Sequence, residues 1–323
     1  MLLEVSGLRI AFPGREGELV AVDGLDFAVA EGEIFVIIGE SGSGKSLTGM
    51  SVVGLTPPTA AARGSIRFKG RELLGRPEPE LRRVRGREVG IVYQDPLGAM
   101  NPVWPVGEQI AEALVTHRMA SRGAAARRAV ELLARVHIPD PARVARAYPH
   151  EVSGGMRQRA MIAMALACGP SLLIADEPTT ALDVTIKAQV LELLQELRKE
   201  LSLTIVLITH DMGVVAELAD RILVMYAGKA AEIGPADAIM QRPSHPYTRA
   251  LMLSAMIAEA PPKAELGAIR GTAPPLGARP SGCPFHPRCP AAQEDCRAAM
   301  PPVRAHRAVR LACHHPLTLE ASC

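Results

Sequence analysis

A glycine-rich segment, residues 39–46, constrains the fold of this chain more than any other feature. It fits the pattern G-x-x-x-x-G-K-[S/T], in which backbone amides curl around phosphate oxygens at the start of a helix. The apolar residues 34–38 before it predict a strand buried on both faces, and residues 47–55 after it predict a helix. A strand, a glycine-rich loop and a helix in this order predict a phosphate-binding loop.

The residue types in this loop match separate tasks in holding a nucleotide. Glycines let the backbone approach the phosphates, the Lys45 ammonium can lie against the β- and γ-phosphates, and the Ser46 hydroxyl can ligate Mg²⁺. The candidate nucleotide-binding residues of this segment are Gly39, Ser41, Gly42, Ser43, Gly44, Lys45, Ser46 and Leu47.

Polar residues that suit ATP chemistry follow three further apolar runs. Asp176 and Glu177 end one run, and we expect Asp176 to hold magnesium and Glu177 to polarise the water that attacks the γ-phosphate. His210 follows a second run, where an imidazole could reach the γ-phosphate. Gln94 follows a third and is a candidate ligand of magnesium or of the attacking water. Taken singly, each could also be an ordinary solvated loop residue.

A second candidate anion site lies at Ser153, Gly154 and Gly155, which precede a helix-like apolar run. A serine and two glycine amides at the positive end of a helix can bind an anion. The same three residues alone would also be typical of a plain capped turn, so their meaning depends on the phosphate loop elsewhere in the chain.

Composition excludes several classes of protein. Lys and Arg total 36 and Asp and Glu total 34, a balance that disfavours neutralising a polyanion, so we expect no nucleic-acid partner. The longest nearly apolar run, residues 160–175, is interrupted by Gly169 and Pro170 and is shorter than the ~18–20 residues that a membrane span needs. The first residues show no secretory signal, so a cytoplasmic location is expected.

Strand-like and helix-like segments alternate along most of the chain, which predicts an α/β core. We predict an ATPase domain over residues 1–258 and a proline- and cysteine-rich extension over 259–323. The extension is expected to be an appendage that adds no strands to the sheet.

In this order and spacing, the motifs resemble those of ABC-transporter ATP-binding subunits. The resemblance implies a P-loop NTPase (RecA-like) core, an antiparallel β subdomain and a helical subdomain at about 95–160. It also implies that two such domains pair head to tail, so that each ATP lies between the phosphate loop of one and the Ser153-Gly154-Gly155 motif of the other. One departure is Val152, where the family usually has leucine.

The same resemblance implies roles for individual residues. It makes Glu177 the catalytic base, His210 the γ-phosphate sensor and Gln94 a link to the membrane subunits. Asp183 would be a dimer contact, and Phe12 is the candidate for stacking on adenine.

A narrower resemblance is to the ATPases of oligopeptide and dipeptide importers. It is carried by Gln94-Asp95-Pro96, Asn101-Pro102, Tyr148-Pro149-His150, residues 153–159 and His245-Pro246-Tyr247-Thr248. It implies a second, similar ATPase subunit, two permeases whose coupling helix meets residues 101–110, and a solute-binding protein. The chain would then lie peripherally on the cytoplasmic face of the inner membrane. The resemblance leaves open which peptide is carried, or whether the solute is a related compound such as a nickel complex.

A different class of function is a soluble ABC ATPase of DNA repair, translation or iron–sulfur cluster assembly. The single ATPase core, the balanced charge and the specific match around Gln94 disfavour it.

Cysteines cluster near the C-terminus at Cys283, Cys289, Cys296 and Cys313. Their spacing lacks the close knuckle of most zinc sites, whereas an iron–sulfur cube needs one cysteine per iron. Resemblance to those importer ATPases that carry such a cluster favours [4Fe–4S]; zinc and unligated or paired thiols are the alternatives. Possible substitute ligands are His286, His306, His314 and His315. Cys168 is expected to be a buried small hydrophobe, and the terminal Cys323 a free thiol.

Overall fold

The computed structural model describes residues 1–15, 17–180, 182–257, 269 and 271–317. These residues form two compact units, the first made of residues 1–75 and 208–323 and the second of residues 76–207. Cys323 and Ala181 lie outside the described residues.

The strands alternate with helices along the chain. The strands are β1 (Leu3–Gly14), β2 (Gly17–Val29), β3 (Ile34–Ile38), β4 (Ala61–Phe68), β5 (Arg71–Glu72), β6 (Val89–Val92), β7 (Leu172–Asp176), β8 (Thr204–Ile208), β9 (Arg221–Tyr226), β10 (Lys229–Pro235), β11 (Arg304–His306) and β12 (Val309–Leu311). The helices are α1 (Lys45–Ser51), α2 (Glu78–Val84), α3 (Pro96–Ala99), α4 (Val106–Thr116), α5 (Arg122–Arg135), α6 (Pro141–Arg146), α7 (Gly154–Leu166), α8 (Val184–Leu201), α9 (Met212–Leu218), α10 (Ala236–Gln241), α11 (Pro246–Ile257) and α12 (Glu294–Ala298).

The first unit contains an antiparallel sheet in the order β2-β1-β4-β5. A tight connection pairs Gly14 with Gly17, and β1 is paired on its other edge with β4. The side chains of Leu3, Val5 and Leu8 on β1 are buried. This sheet is the antiparallel β subdomain that the resemblance implies.

The first unit also contains strands in the order β11-β12-β10-β9-β3. β3 pairs with β9 in parallel, and all five of its residues are buried, as its uninterrupted apolar sequence predicts. β9 and β10 form an antiparallel pair. The phosphate-loop segment begins directly after β3, and α1 begins at Lys45, two residues before the predicted start, and ends four residues before the predicted end.

One expectation about the C-terminal extension is wrong. The sequence predicts an appendage without sheet, but β12 pairs with β10 and β11 pairs with β12, both antiparallel. Each added strand has three residues, too few for an alternating hydrophobic pattern to be visible in sequence. The open edge of β10 provides the backbone partners that make such short strands stable.

The second unit holds β6, β7 and β8, with β7 in the middle and β6 parallel to it. Its helices α4 to α7 confirm that residues 106–168 are largely helical, and α8 covers the predicted helix at 186–200. Cys168 is buried, as expected, with its thiol 3.6 Å from the carbonyl oxygen of Ala113. Among the helices in the described residues, none has the length and apolarity needed to span a bilayer.

Candidate nucleotide site and cysteine cluster

The phosphate loop has the backbone shape that its glycines allow. Gly44 has a φ of 97° and caps the N-terminus of α1, and Gly42 has a φ of 76°. At Gly39 a side chain would collide with the carbonyl oxygen of Met225 on β9. Glycine is therefore required at Gly39 by the close approach of β9 and favoured at the other two by backbone angle.

Two polar side chains of this loop are buried in a way that suits an anion. The Lys45 ammonium donates to the carbonyl oxygens of Gly39 and Glu40, at 2.7 and 3.1 Å. The Ser43 hydroxyl is buried and has no hydrogen-bond partner among the described residues. Buried polar atoms are normally paired, so this hydroxyl fits a ligand oxygen. Ser41, Gly42 and Ser46 are exposed on the same loop.

Glu40, inside the loop, is bound by two residues that the sequence analysis did not identify as functional. Its backbone amide donates to the Tyr247 hydroxyl at 2.8 Å. Its carboxylate accepts both arms of Arg288, at 2.6 and 2.9 Å. Glu40 in turn is the largest cause of the raised pKa of Arg288, while burial raises the pKa of Tyr247. The His245-Pro246-Tyr247-Thr248 motif is a sequence feature that could have indicated a role for Tyr247. No sequence motif indicates a role for Arg288.

In the second unit the structure brings Gln94 and Glu177 together. The Gln94 side-chain amide donates to a Glu177 carboxylate oxygen at 3.1 Å, and the Thr180 hydroxyl donates to the same oxygen at 2.9 Å. Glu177 has a φ of 47°, in the left-handed region that non-glycine residues rarely adopt. Asp176, at the end of β7, is buried. Thr180 was not predicted, although it lies three residues after Glu177.

Ser153 and Asp183 each cap a helix of the second unit. The Ser153 hydroxyl accepts from the Met156 amide at 3.3 Å, and the Asp183 carboxylate accepts from the Ile186 amide at 2.9 Å. Both residues are exposed. A Cβ at Gly155 would lie 2.6 Å from an Ile186 methyl group, so α7 and α8 pack closely at this glycine. The capped turn considered for Ser153 is present, and an anion contact is compatible with it.

Three further predicted residues belong to the first unit. His210, two residues beyond the end of β8, is exposed. Phe12 is half-buried on β1, opposite Leu19 of β2. Leu47 is half-buried in the first turn of α1.

Three of the four C-terminal cysteines, Cys283, Cys296 and Cys313, are buried, and Cys289 is half-buried. Burial raises the pKa of Cys283 and Cys289, and raises that of Cys313 to about 12. The nearby thiols of Cys283, Cys289 and Cys296 contribute to this raised pKa of Cys313. The backbone amide of Cys283 also donates to the Cys296 carbonyl at 2.8 Å. This set of soft donors suits a metal centre that can hold sulfur as thiolate.

A mixed group of possible metal ligands adjoins these cysteines. Within the described ranges, Asp295, Cys296 and His315 place one ligand atom each within 4.8 Å of one another. The His315 ring is 2.8 Å from Asp295, and this hydrogen bond is the main reason that the pKa of Asp295 is lowered. His315 is one of the four histidines considered as substitute ligands.

The phosphate loop on an α/β core, with an acidic strand end and a Ser-Gly-Gly helix start, defines an ATP-binding cassette. The family model described as "ABC transporter" matches residues 22–180, and the model described as "Oligopeptide/dipeptide transporter, C-terminal region" matches residues 231–296.

Similar proteins support the same assignment over nearly the whole chain. The oligopeptide transport ATP-binding protein OppD of Salmonella typhimurium is 47% identical, with 98% of this chain and 94% of the relative covered. The dipeptide transport ATP-binding protein DppD of Bacillus subtilis is 47% identical, with 93% and 90% covered. The chain belongs to the oligopeptide/dipeptide family of ABC-transporter ATP-binding proteins, and it is an ATPase of this class.

Solved structures agree with the fold. The dimeric ATP-binding cassette MJ0796, in a post-hydrolysis state bound to ADP and Pi, matches with a TM-score of 0.65 and 28% identity over 72% of this chain and 98% of that one. The predicted α/β ABC fold is thereby confirmed.

Proposed function

We propose that this chain hydrolyses MgATP to power the uptake of di- or oligopeptides through separate permease subunits. The observation that carries the proposal is the match to peptide-transport ATP-binding proteins along both the ATPase region and the C-terminal region. A match to the ATPase region alone would support only the general class of ABC-transporter ATPases. We take residues 1–258 as the ATPase domain, with its helical subdomain at about 95–160, and residues 259–323 as the extension.

The residues near Glu177 support its role as the base that polarises the attacking water. The Gln94 amide and the Thr180 hydroxyl both donate to one carboxylate oxygen and so orient the group that would accept a proton from water. The left-handed backbone at Glu177 holds the carboxylate just beyond the end of β7. His210 is the proposed γ-phosphate sensor and Phe12 the proposed adenine platform.

The phosphate loop provides the charge and the amides that hold the triphosphate. Lys45 would exchange its two carbonyl acceptors for phosphate oxygens, and the unpartnered Ser43 hydroxyl would donate to one. Mg²⁺ would offset the charge that develops on the phosphates during transfer. The proposed magnesium ligands are Ser46, Gln94 and Asp176.

A second ATPase subunit, similar to this chain, is the proposed partner for hydrolysis. Ser153, Gly154 and Gly155 would contact the nucleotide held by that partner, and Asp183 would contact the partner itself. The helix starts are exposed, and Val184, beside Asp183, is 84% exposed although it is apolar. An exposed valine next to a capped helix start is compatible with burial in a dimer.

The proposed docking surface for the permeases is the segment after Gln94. Three apolar side chains of this segment are exposed, Leu97, Val103 and Trp104. Exposed apolar side chains that occur together in one segment are compatible with burial against a partner. The complete importer would comprise two ATPases, two permeases and a solute-binding protein, with this chain peripheral on the cytoplasmic face of the inner membrane.

We further propose that Cys283, Cys289, Cys296 and Cys313 hold a [4Fe–4S] cluster. The backbone of Cys283 is hydrogen-bonded to that of Cys296, and desolvation raises the pKa of Cys283, Cys289 and Cys313, whose thiols would become thiolates when a metal binds. Zinc, with Asp295 or His315 replacing a thiol, is the alternative that the neighbouring mixed group supports.

The function is tested by reconstituting the chain with its partner ATPase, permeases and binding protein in liposomes. ATP-dependent uptake of a labelled peptide should occur, and Glu177→Gln should stop hydrolysis while leaving ATP binding intact. The matched control is Glu192→Gln, an exposed glutamate on α8. ATP hydrolysis that neither needs permeases nor drives peptide uptake would support a soluble ATPase instead, and full turnover in Glu177→Gln would remove it as the base.

The metal centre is tested by purifying the protein without oxygen. We expect a brown protein with broad absorbance near 400 nm and iron and sulfide in equal amounts, both lost in Cys289→Ser. The control is Cys168→Ser, a buried cysteine of the second unit. A colourless protein with one zinc per chain would replace the cluster by a zinc site.

A further inference from the structure

We propose that Arg288 is a positioning residue for the phosphate loop, and that the four-cysteine segment, residues 283–313, acts through it on nucleotide affinity. The proposal rests on the proposed function for the nucleotide that the loop holds. It assigns to the C-terminal extension a direct part in ATP binding, within a single subunit.

The first step is the geometry of the ion pair. Glu40 lies between Gly39 and the exposed part of the loop, and both of its carboxylate oxygens accept from the Arg288 guanidinium. The Arg288 side chain is only 6% exposed. A two-pronged arginine–carboxylate pair fixes orientation as well as distance, and burial protects it from screening.

The second step is the position of Glu40 relative to Lys45. The Glu40 carbonyl accepts from the Lys45 ammonium, while its amide donates to the Tyr247 hydroxyl. The backbone of Glu40 is therefore held on both sides, and its carboxylate is neutralised by Arg288. Without the guanidinium, an unpaired carboxylate would lie in the loop that must accept a triphosphate.

The third step is what fixes Arg288. It directly precedes Cys289, and its backbone amide donates to the Phe285 carbonyl at 2.9 Å. Phe285 is buried, edge-on to Tyr226 at 5.2 Å and 5.3 Å from the Tyr247 ring. Arg288 also donates to the Tyr226 hydroxyl at 3.2 Å. The segment that carries Cys283 and Cys289 therefore packs on Tyr226, which accepts from Arg288, and on Tyr247, which accepts from the Glu40 amide.

These contacts predict a specific coupling. A metal bound by the four sulfurs would fix the backbone on both sides of Arg288, because Cys283 and Cys289 bracket this turn and the Cys283 amide donates a hydrogen bond to the Cys296 carbonyl. When the thiols are released, Arg288 loses its fixed position and the loop loses its ordered shape. Nucleotide affinity then falls, because ordering the loop must occur on binding.

The first experiment measures ATP affinity by calorimetry, and KM and kcat by steady-state hydrolysis, on the full chain with its partner ATPase. Arg288→Met should raise Kd and KM about tenfold, with kcat within about twofold. Arg288→Lys should recover part of the affinity, since it restores the charge without the fork. The matched control is Arg297→Met, an exposed arginine that directly follows Cys296.

A second pair of variants tests whether Arg288 acts through Glu40. In a Glu40→Gln background, Arg288→Met should change Kd less than about twofold, because the carboxylate that it holds is gone. If Arg288→Met fails to fold, the smaller change Arg288→Lys takes its place in the same cycle. Unchanged Kd in folded Arg288 variants, or a fall in kcat alone, would overturn the proposal.

The last experiment separates this inference from the proposed cluster. Cys289→Ser should weaken ATP binding severalfold in the otherwise unchanged chain but not in Arg288→Met, with metal content measured on each sample. Equal losses in both backgrounds would overturn the link from the thiols to Arg288. If Arg288→Met binds ATP weakly and the protein holds no iron, the cluster is refuted and the role of Arg288 stands. If Arg288→Met binds ATP normally and the protein holds iron, the role of Arg288 is refuted and the cluster stands.

Discussion

Lys45 and Glu177 are each held by hydrogen bonds that suit their proposed roles in binding and hydrolysing ATP. The Lys45 ammonium is buried, and the cost of removing a charge from water is offset by carbonyl acceptors in its own loop. Glu177 is held by Gln94 and Thr180, two donors that orient its carboxylate. In both cases hydrogen bonds within the protein position the charged group.

Replacing the loop lysine should weaken binding itself. Lys45→Ala removes the charge that faces the triphosphate, so we expect ATP affinity to fall at least tenfold, or about 1.4 kcal/mol or more. Fluorescence titration with a labelled ATP analogue measures it, with the exposed Lys199→Ala on α8 as control. Unchanged affinity in Lys45→Ala would contradict the phosphate-loop assignment.

Among the elements, the turn before α4 depends on one side chain that the sequence analysis did not single out. The Gln109 amide donates to the carbonyl oxygens of Asn101 and Trp104, each at 2.9 Å, and its oxygen accepts from the Asn101 amide. Gln109 is buried on α4 and thereby shapes the segment that exposes Val103 and Trp104. The proposed permease surface is thus set by a helix residue behind it.

Truncating this glutamine should disturb the turn more than the ATP site. Gln109→Ala removes three hydrogen bonds between this side chain and the backbone of the turn, so we expect a loss of about 1–3 kcal/mol in unfolding free energy. Binding to the permeases should weaken while basal ATP hydrolysis stays near normal. Denaturant unfolding and pull-down with the permeases measure these effects, with Glu112→Ala, an exposed residue of α4, as control. Equal permease binding by both variants would argue against this surface.

The strands of the extension show why elements differ in how well sequence predicts them. β3, β7 and β8 are continuous apolar runs and were expected from sequence. β11 and β12 have three residues each, and they exist because β10 offers a free edge. Their pairing depends on where a strand some 75 residues earlier has come to lie, which no local pattern records.

At the scale of the whole molecule, two buried ionisable groups, His245 and Glu232, lie where the ATPase core leads into the extension. His245 is buried, its Nδ1 accepts from the Tyr247 amide, and burial lowers its pKa to about 4. Glu232, on β10, accepts from the amides of Ser244 and His245, and burial raises its pKa. These groups fix the start of α11 and hence Tyr247 near the phosphate loop.

Stability should therefore fall in mild acid. Because the pKa of His245 is about 6.5 unfolded and about 4 folded, the unfolded state binds the extra proton as pH falls from 6.5 towards 4. We expect a loss of about 2.5 kcal/mol between pH 7.5 and 4.5 from this residue. The raised pKa of Glu232 acts in the opposite direction, since its stabilising effect is lost as pH rises.

Denaturant unfolding of the wild type and of His245→Gln at both pH values isolates the histidine. The variant should lose less stability on acidification than the wild type, by about the same 2.5 kcal/mol. Parallel pH dependences would show that His245 does not titrate as its burial implies.

The sequence by itself determined the phosphate loop, the buried strands around it and the acidic strand end. Each of these depends on consecutive residues: the loop on the placement of its glycines, the strands on apolar runs, and the strand end on its charged residues. Only the tertiary structure decided that Arg288 meets Glu40, across 248 residues, and that the extension joins the β10 edge. The reason is physical: a local pattern fixes backbone conformation, whereas an ion pair between distant residues exists only when packing of the whole unit brings them within reach.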